Sequence, residues 1–252
     1  MQIKLYGLIG YPLGHSFSKT YFQEKFLREG LTNYSFQNIE IQNLQPFIEN
    51  KELLSSMQGF CVTMPYKESI IPYLNEIDPC AKEIGAVNVV RIDKKGDNIY
   101  LKGYNTDAFG FEKSLLENLE NKNIRALILG SGGASKAVGF ALRKHNIEYK
   151  IVSRQKKEGK EYISYSELLP SIINSHKLII NTTPLGMKPY LSYIPEIDIN
   201  QITKEHIIFD LIYNPKETLL ILNAQRLGAK TINGFDMLCY QAEKAWRIWN
   251  AR

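Results

Sequence analysis

Short runs of branched and aromatic apolar residues alternate along this chain with longer stretches whose apolar positions return every third or fourth residue. The short runs predict strands at 3–9, 34–41, 60–63, 87–92 and 100–104, and again at 125–129, 149–152, 178–181, 207–211 and 230–232. Between them, Phe111, Leu115 and Leu119 recur at the spacing of one buried helix face. Met237, Leu238, Gln241, Ala245 and Trp249 also fall at helical spacing and predict a terminal helix over 235–252. Strand–helix–strand alternation predicts an α/β protein with parallel sheets covered by helices on both faces. The run Lys94-Lys95-Gly96-Asp97-Asn98 reads as a hairpin turn, and a fresh series of strand–helix units begins after Tyr104, so a domain boundary is expected there.

The length, 252 residues, is enough for one large domain or two small ones. With 44% hydrophobic and 23% charged residues, the composition is that of a soluble globular protein and excludes a disordered, collagen-like or coiled-coil chain. Apolar runs such as Ile207-Ile208-Phe209 are strand-length, far from the roughly 18 residues a membrane crossing needs. The first residues read as a strand and not as a signal peptide. Cys61, Cys80 and Cys239 are odd in number and lack metal-ligand spacing, which points to a reducing cytoplasm. His15, His145, His176 and His206 are scattered with no helix-borne pair, so no metal site is expected. The net charge of +5 is mild and fits a solvated basic surface better than a nucleic-acid binder. Basic residues are dense only from Arg143 to Lys160.

The run Leu127-Ile128-Leu129-Gly130-Ser131-Gly132-Gly133-Ala134-Ser135 is a strand, a glycine turn and a helix start. Gly130 permits the tight turn and Gly132 lets backbone approach a pyrophosphate. Gly133 and Ala134 open a helix whose first N–H groups favour an anion. Ser135 stands where the third glycine of the dinucleotide fingerprint is usual. An NAD site carries an acid about 20 residues further on, to hold the ribose hydroxyls. Here the second strand ends in Ser153-Arg154-Gln155-Lys156-Lys157, a hydroxyl and cations suited to a 2′-phosphate. NADP is therefore expected over NAD.

Three further segments put polar side chains at the ends of apolar strands. In Gly10-Tyr11-Pro12-Leu13-Gly14-His15-Ser16-Phe17-Ser18, either serine can cap the following helix, and the pair can hold a carboxylate; His15 is an alternative acid–base candidate. In Val62-Thr63-Met64-Pro65-Tyr66-Lys67, a strand ends at Thr63 and Lys67 falls in the first turn of a helix, where the dipole opposes a cation. In Asn105-Thr106-Asp107, Asn105 or Thr106 can cap a helix and Asp107 suits its first turn. Asn88 puts an amide in an otherwise apolar run and must find partners.

Taken together, these runs resemble the shikimate dehydrogenase family. The resemblance is carried by Gly14-His15-Ser16-Phe17-Ser18, Val62 through Lys67, Gly85-Ala86-Val87-Asn88, Asn105-Thr106-Asp107, Gly130 through Ala134, Asn181-Thr182-Thr183-Pro184-Leu185-Gly186-Met187, and Gly234-Phe235-Asp236-Met237-Leu238 through Gln241. It implies an N-terminal substrate domain (1–104 with 235–252), a Rossmann-like NADP domain (105–234) and a cleft between them. The implied activity is the reversible NADPH-dependent reduction of 3-dehydroshikimate to shikimate by a cytoplasmic monomer or homodimer. Lys67 and Asp107 are implied as the catalytic pair, and Ser16 and Ser18 as carboxylate ligands. Thr63, Asn88 and Gln241 match groups holding ring hydroxyls, and Tyr213 a substrate-contacting tyrosine. Thr182, Leu211 and Gly234 fall where the family lines the nicotinamide. Gly130, Ser131, Gly132, Gly133 and Ala134 make the phosphate loop, and Ser153 and Arg154 the 2′-phosphate site. Ser153-Arg154-Gln155 departs from the family's commoner Asn-Arg-Thr, with the arginine kept.

In that setting, an ammonium at Lys67 stabilises charge building on the ketone oxygen and donates the proton, while Asp107 orients it. The competing readings are an NAD-dependent quinate/shikimate dehydrogenase, a folate dehydrogenase of similar architecture, a non-catalytic nucleotide sensor and a nucleic-acid binder. The missing acid after Val152 disfavours the first. The serine pair with Asn105-Thr106-Asp107 disfavours the second, and a sensor needs neither Lys67 nor Asp107.

Overall fold

A computed structural model describes residues 3–14, 17–96, 98–155 and 158–251. The chain divides into two compact units, one of Met1–Thr106 with Ala242–Arg252 and one of Asp107–Gln241.

The first unit runs β1 (Lys4–Gly10), α1 (Phe17–Arg28), β2 (Tyr34–Glu40), α2 (Leu44–Glu49), α3 (Lys51–Ser56), β3 (Met57–Val62), α4 (Tyr66–Ser69), β4 (Glu76–Ile77), α5 (Pro79–Ile84), β5 (Val89–Lys95) and β6 (Asn98–Tyr104). Its six strands lie in the order β2-β1-β3-β5-β6-β4. β1 pairs in parallel with β2 and β3, whereas β3–β5 and β5–β6 are antiparallel. Both faces of the sheet are buried. Ile9, Phe60, Val62, Val90 and Ile92 face one core, and Tyr6, Leu8, Cys61 and Val89 the other, with Phe22, Phe36 and Trp249. Gly59 makes room for that tryptophan: a Cβ there would sit 2.4 Å from the Trp249 ring. The indole Nε1 in turn donates to Val90 O at 3.0 Å.

The second unit runs α6 (Asp107–Asn118), β7 (Ala126–Leu129), α7 (Gly133–Lys144), β8 (Tyr149–Ser153), β9 (Tyr162–Ser164), α8 (Pro170–Ser175), β10 (Leu178–Asn181), β11 (Ile207–Asp210), α9 (Leu219–Arg226) and β12 (Lys230–Asn233). The last helix, α10 (Phe235–Trp249), begins in this unit, and its residues from Ala242 belong to the first. The sheet is parallel throughout, in the order β12-β11-β10-β7-β8-β9. Alternate residues of β7 serve two cores. Ala126 and Ile128 meet Phe111, Leu115, Val138 and Leu142, while Leu127 and Leu129 meet Ile173, Leu220 and Ala224. Strand order reverses between β7 and β10, the position where open parallel sheets leave a crevice at their carboxyl ends.

The expected strands and the terminal helix form, with shifted ends, but the first sheet is mixed where parallel pairing was expected. The physical reason lies in the hairpin: the tight turn at Gly96, with φ of +59°, joins β5 to β6 with no helix to carry a crossover. Val87 and Asn88 precede β5, and Leu211 follows β11. β4 and β9 were not anticipated; at two and three residues they are too short to show alternation. Among the described residues, no helix is long and apolar enough to cross a membrane, and no group of His, Cys, Asp or Glu is placed to hold a metal ion.

Candidate active site

In the first unit, backbone contacts gather the ends of β1, β3 and β6. Thr63 follows β3, and its N–H donates to Ile9 O at 2.9 Å. Beneath its side chain lies Gly10, where a Cβ would stand 2.4 Å from Thr63 Cγ2. Tyr11 N–H donates to Met64 O at 3.0 Å, so the loop leading to α1 runs beside the Thr63–Lys67 turn. Ser18 is half-buried near the start of α1. Ser16 and His15 lie outside the described residues. Lys67 is half-buried, and its carbonyl accepts from Val87 N–H at 2.7 Å, bringing α4 against the segment that carries Asn88. Helix α4 has only four residues, so Lys67 stands in its last turn as well as its first. The dipole opposition expected from sequence is therefore small.

Asn88 is buried, and its partners are now visible. Thr106 N–H donates to Asn88 Oδ1 at 2.7 Å, and Asn88 Nδ2 donates to Thr106 Oγ1 at 3.0 Å. Asn105 Nδ2 donates to Ala86 O at 2.9 Å. These amide bonds fix the Asn105–Thr106 segment in the core. The next residue in the chain, Asp107, opens α6 and is itself buried, at 6% exposure.

In the second unit, Asp107 and Gln241 are linked through Gly110. A Cβ at Gly110 would stand 2.5 Å from Met237 O and 3.1 Å from Gln241 N and Cβ, so α6 and α10 approach backbone to backbone where Gln241 is buried. Around β7, the tight turn forms at Gly130, with φ of +106°. A Cβ there would meet Thr182 Oγ1 at 2.8 Å, and Thr182 Oγ1 donates to Leu129 O at 2.7 Å. The glycine turn and the loop after β10 therefore lie side by side at the strand-order reversal. Gly132 is the N-cap of α7 with no side-chain cap bond, and a Cβ built on it meets nothing within 4 Å. Ser131, Gly133 and Ala134 flank it, partly exposed. An uncapped helix start with open space before it, on a glycine backbone, fits a dinucleotide phosphate. Arg154 is exposed just beyond β8, suited to an anion, while Ser153 is buried and donates its hydroxyl to Gln155 O, closing the turn. Lys156 and Lys157 lie outside the described residues. Leu211 and Tyr213 are half-buried in the loop after β11. That loop is pressed against Gly234, where a Cβ would stand 1.9 Å from Leu211 O.

Sequence reasoning missed the buried group beneath these loops, Asp210. Its carboxylate has no exposure and accepts from Asn181 Nδ2, Ile212 N–H and Thr218 Oγ1 at 3.0, 3.1 and 2.6 Å. Burial pushes its pKa up to about 6, against the lowering effect of the bonds from Thr218, Ile212 and Asn181. An acid closing the apolar run Ile207-Ile208-Phe209 is the signal that reveals it.

The fold and these loops define a two-unit α/β protein whose second unit is built as a Rossmann-like dinucleotide domain. Residues 8–90 match the profile of the shikimate dehydrogenase substrate binding domain. The NADP(+) shikimate dehydrogenase of Halothermothrix orenii is 39% identical over 264 residues, covering 96% of this chain and 89% of that protein. The crystal structure of shikimate dehydrogenase from Aquifex aeolicus superimposes with a TM-score of 0.87 at 36% identity, covering 100% of this chain and 94% of that one. Shikimate 5-dehydrogenase from Thermus thermophilus, in complex with NADP(H) and shikimate, gives 0.86 at 27% identity, covering 99% and 94%. The chain belongs to the shikimate dehydrogenase family.

Proposed function

We propose that this chain catalyses the reversible NADPH-dependent reduction of 3-dehydroshikimate to shikimate, in the biosynthesis of chorismate and the aromatic amino acids, as an oxidoreductase acting on a CH–OH group. One observation carries the reading. The similarity to NADP-dependent relatives runs through both units, the one that carries the polar strand ends and the one that carries the glycine turn. The first unit binds the substrate, and the second binds NADP. Ser16 and Ser18 hold the carboxylate, Thr63, Asn88 and Gln241 hold ring hydroxyls, and Tyr213 lies against the substrate. Gly130 to Ala134 receive the pyrophosphate and Arg154 the 2′-phosphate, with Ser153 shaping the turn. Thr182, Leu211 and Gly234 line the nicotinamide.

When bound, NADPH supplies the hydride to the ketone carbon. Lys67 as an ammonium stabilises the negative charge building on the ketone oxygen and gives up the proton that completes the hydroxyl; in the reverse direction, neutral Lys67 takes it back. Asp107 orients Lys67 and accepts from an adjacent hydroxyl. No metal takes part, and the enzyme is a cytoplasmic monomer or homodimer with no nucleic-acid or membrane partner. The decisive experiment is NADPH oxidation with 3-dehydroshikimate by the purified protein. Turnover is expected with NADPH and weaker turnover with NADH; no substrate-dependent oxidation of either would remove the assignment.

A further inference from the structure

The loops after β10 and β11 carry Thr182, Leu211 and Tyr213, and both are tied to one buried carboxylate. Asn181, fully buried at the end of β10, uses every hydrogen-bonding position of its side chain in this corner. Its Oδ1 accepts from Thr183 N–H at 3.0 Å and Thr183 Oγ1 at 2.7 Å; its Nδ2 donates to Leu185 O at 3.2 Å and to Asp210 Oδ1 at 3.0 Å. Thr183 Oγ1 in turn accepts from Leu185 N–H at 3.2 Å. Asp210 Oδ1 also accepts from Ile212 N–H, which sets the course of the β11 loop, and Oδ2 accepts from Thr218 Oγ1. Thr218 Oγ1 caps α9 by accepting from Ile221 N–H at 3.3 Å. Gly186, with φ of +110°, seats its backbone on this threonine: a Cβ there would stand 3.1 Å from Thr218 Cβ and 3.3 Å from Ile212 Cδ1.

Three segments, 182–186, 211–213 and the start of α9, thus converge on Asp210 through neutral donors, and no charged side chain contributes to its environment among the described residues. A buried carboxylate without a cation is an expensive way to satisfy three donors. It is nonetheless the side chain that accepts on both oxygens at once; an amide would turn an N–H towards one of the donors.

We infer that Asp210, acting through Asn181 and Thr218, is a positioning residue that clamps the two loops facing the nicotinamide end of the cofactor. The inference rests on the proposed dehydrogenase reading for its effect on rate, but the clamp itself is measurable without turnover. The hydrogen bonds from Asp210 to Thr183 and Leu185 run by way of Asn181, so their amides register Asp210 through Asn181's hold.

The experiment is residue-resolved amide exchange on wild type, Asp210→Ala, Asp210→Asn and Thr218→Val, together with steady-state kinetics and binding of 2′,5′-ADP, which lacks the nicotinamide. In Asp210→Ala, exchange at Thr183, Leu185 and Ile212 is expected to quicken by about tenfold or more. For the same variant, kcat should fall by about 10²-fold, the scale of a small misplacement of reacting groups, with the affinity for 2′,5′-ADP unchanged. Asp210→Asn, which keeps acceptors for Ile212 and Asn181, should recover most of both. Thr218→Val should quicken Ile212 and Gly186 while leaving the carboxylate in place, and it serves if Asp210→Ala does not fold. Faster exchange at Ile212 alone would overturn the clamp. So would equal kcat losses in Asp210→Ala and Asp210→Asn, which would make charge and not position the working property. A wild type that fails to oxidise NADPH would remove the dehydrogenase reading and leave the exchange result to decide the clamp.

Discussion

The two units handle buried polarity at their strand ends in opposite ways. In the first, Asn88 and Thr106 meet as an amide and a hydroxyl, neutral at every pH the protein experiences. In the second, Asp210 is a carboxylate held by three neutral donors, and burial raises its pKa to about 6. The first arrangement fixes Thr106 with little electrostatic penalty. The second binds three segments at one point, at the cost of desolvating a charge. The two cations proposed to meet ligand keep more exposure than this buried corner. Lys67 and Arg154 are half-buried and exposed respectively, whereas Asp210 and Asn181 have no exposure at all.

The largest effect is expected where a side chain acts on the reacting atoms. Lys67→Ala should lower kcat by about 10²–10⁴-fold, the range for a positioned acid–base group, while NADPH binding measured by fluorescence titration persists. Near-normal turnover would place Lys67 outside the chemistry and leave the first unit with no acid–base group on this loop.

Next come the charged contacts. Arg154→Ala should raise KM for NADPH by about 10- to 150-fold, equivalent to the roughly 1.5–3 kcal/mol of a hydrogen bond to a charged group, with KM for NADH almost unmoved. Ser18→Ala should raise KM for the substrate over the same range and spare kcat, because a carboxylate carries its charge in ground and transition state alike. An equal loss for both cofactors in Arg154→Ala would give that arginine a structural role in the turn after β8.

The legibility of these groups followed their setting. Lys67, Asn88 and Asp107 interrupt or terminate apolar runs within short polar motifs, so their positions stand out along the chain. The glycine turn was readable because Gly130 and Gly132 sit between a strand and a helix, and the structure gives each a physical reason: a positive φ at one and open space at the other. Asp210 was not readable in the same way. An acid ending an apolar run marks its place, but its partner Asn181 lies 29 residues away, and only the parallel pairing of β10 with β11 brings Asn181 opposite Asp210. The mixed pairing of the first sheet was hidden for a related reason. Strand existence follows from local composition, but direction depends on the connection, and the β5–β6 hairpin alone betrayed it. The helix dipole does little at Lys67, since α4 is a single turn.

A smaller effect tests the approach of α6 to α10. Gly110→Ala places a methyl 2.5 Å from Met237 O and 3.1 Å from Gln241, so the helices must separate, at a cost of about 1–3 kcal/mol for overpacking. KM for the substrate should rise as Gln241 moves, while the affinity for 2′,5′-ADP stays at the wild-type value. A variant with lowered melting temperature but unchanged KM would show that the close approach serves stability and not the placement of Gln241.

The smallest effect bears directly on the comparison of neutral and charged strand ends. Burial raises the folded pKa of Asp210 to about 6 from an aspartate's ordinary 3.8, so the folded state binds its proton more tightly than the unfolded chain does. The linked stability is present below the unfolded pKa and is lost as pH rises through about 6. Asp210→Asn removes that loss without removing the acceptors for Ile212 and Asn181. The melting temperature of the variant relative to wild type should therefore climb as pH rises from about 4 to 6.5 and level off above 7. The change should reach about 1–3 kcal/mol, or a few degrees for a protein of this size. Asn88→Asp run over the same range makes the converse test in the first unit. Introducing a carboxylate beside Thr106 should make a previously flat difference fall with rising pH. A flat Asp210→Asn difference would mean that water reaches the carboxylate, and the contrast between the two units would reduce to hydrogen-bond count.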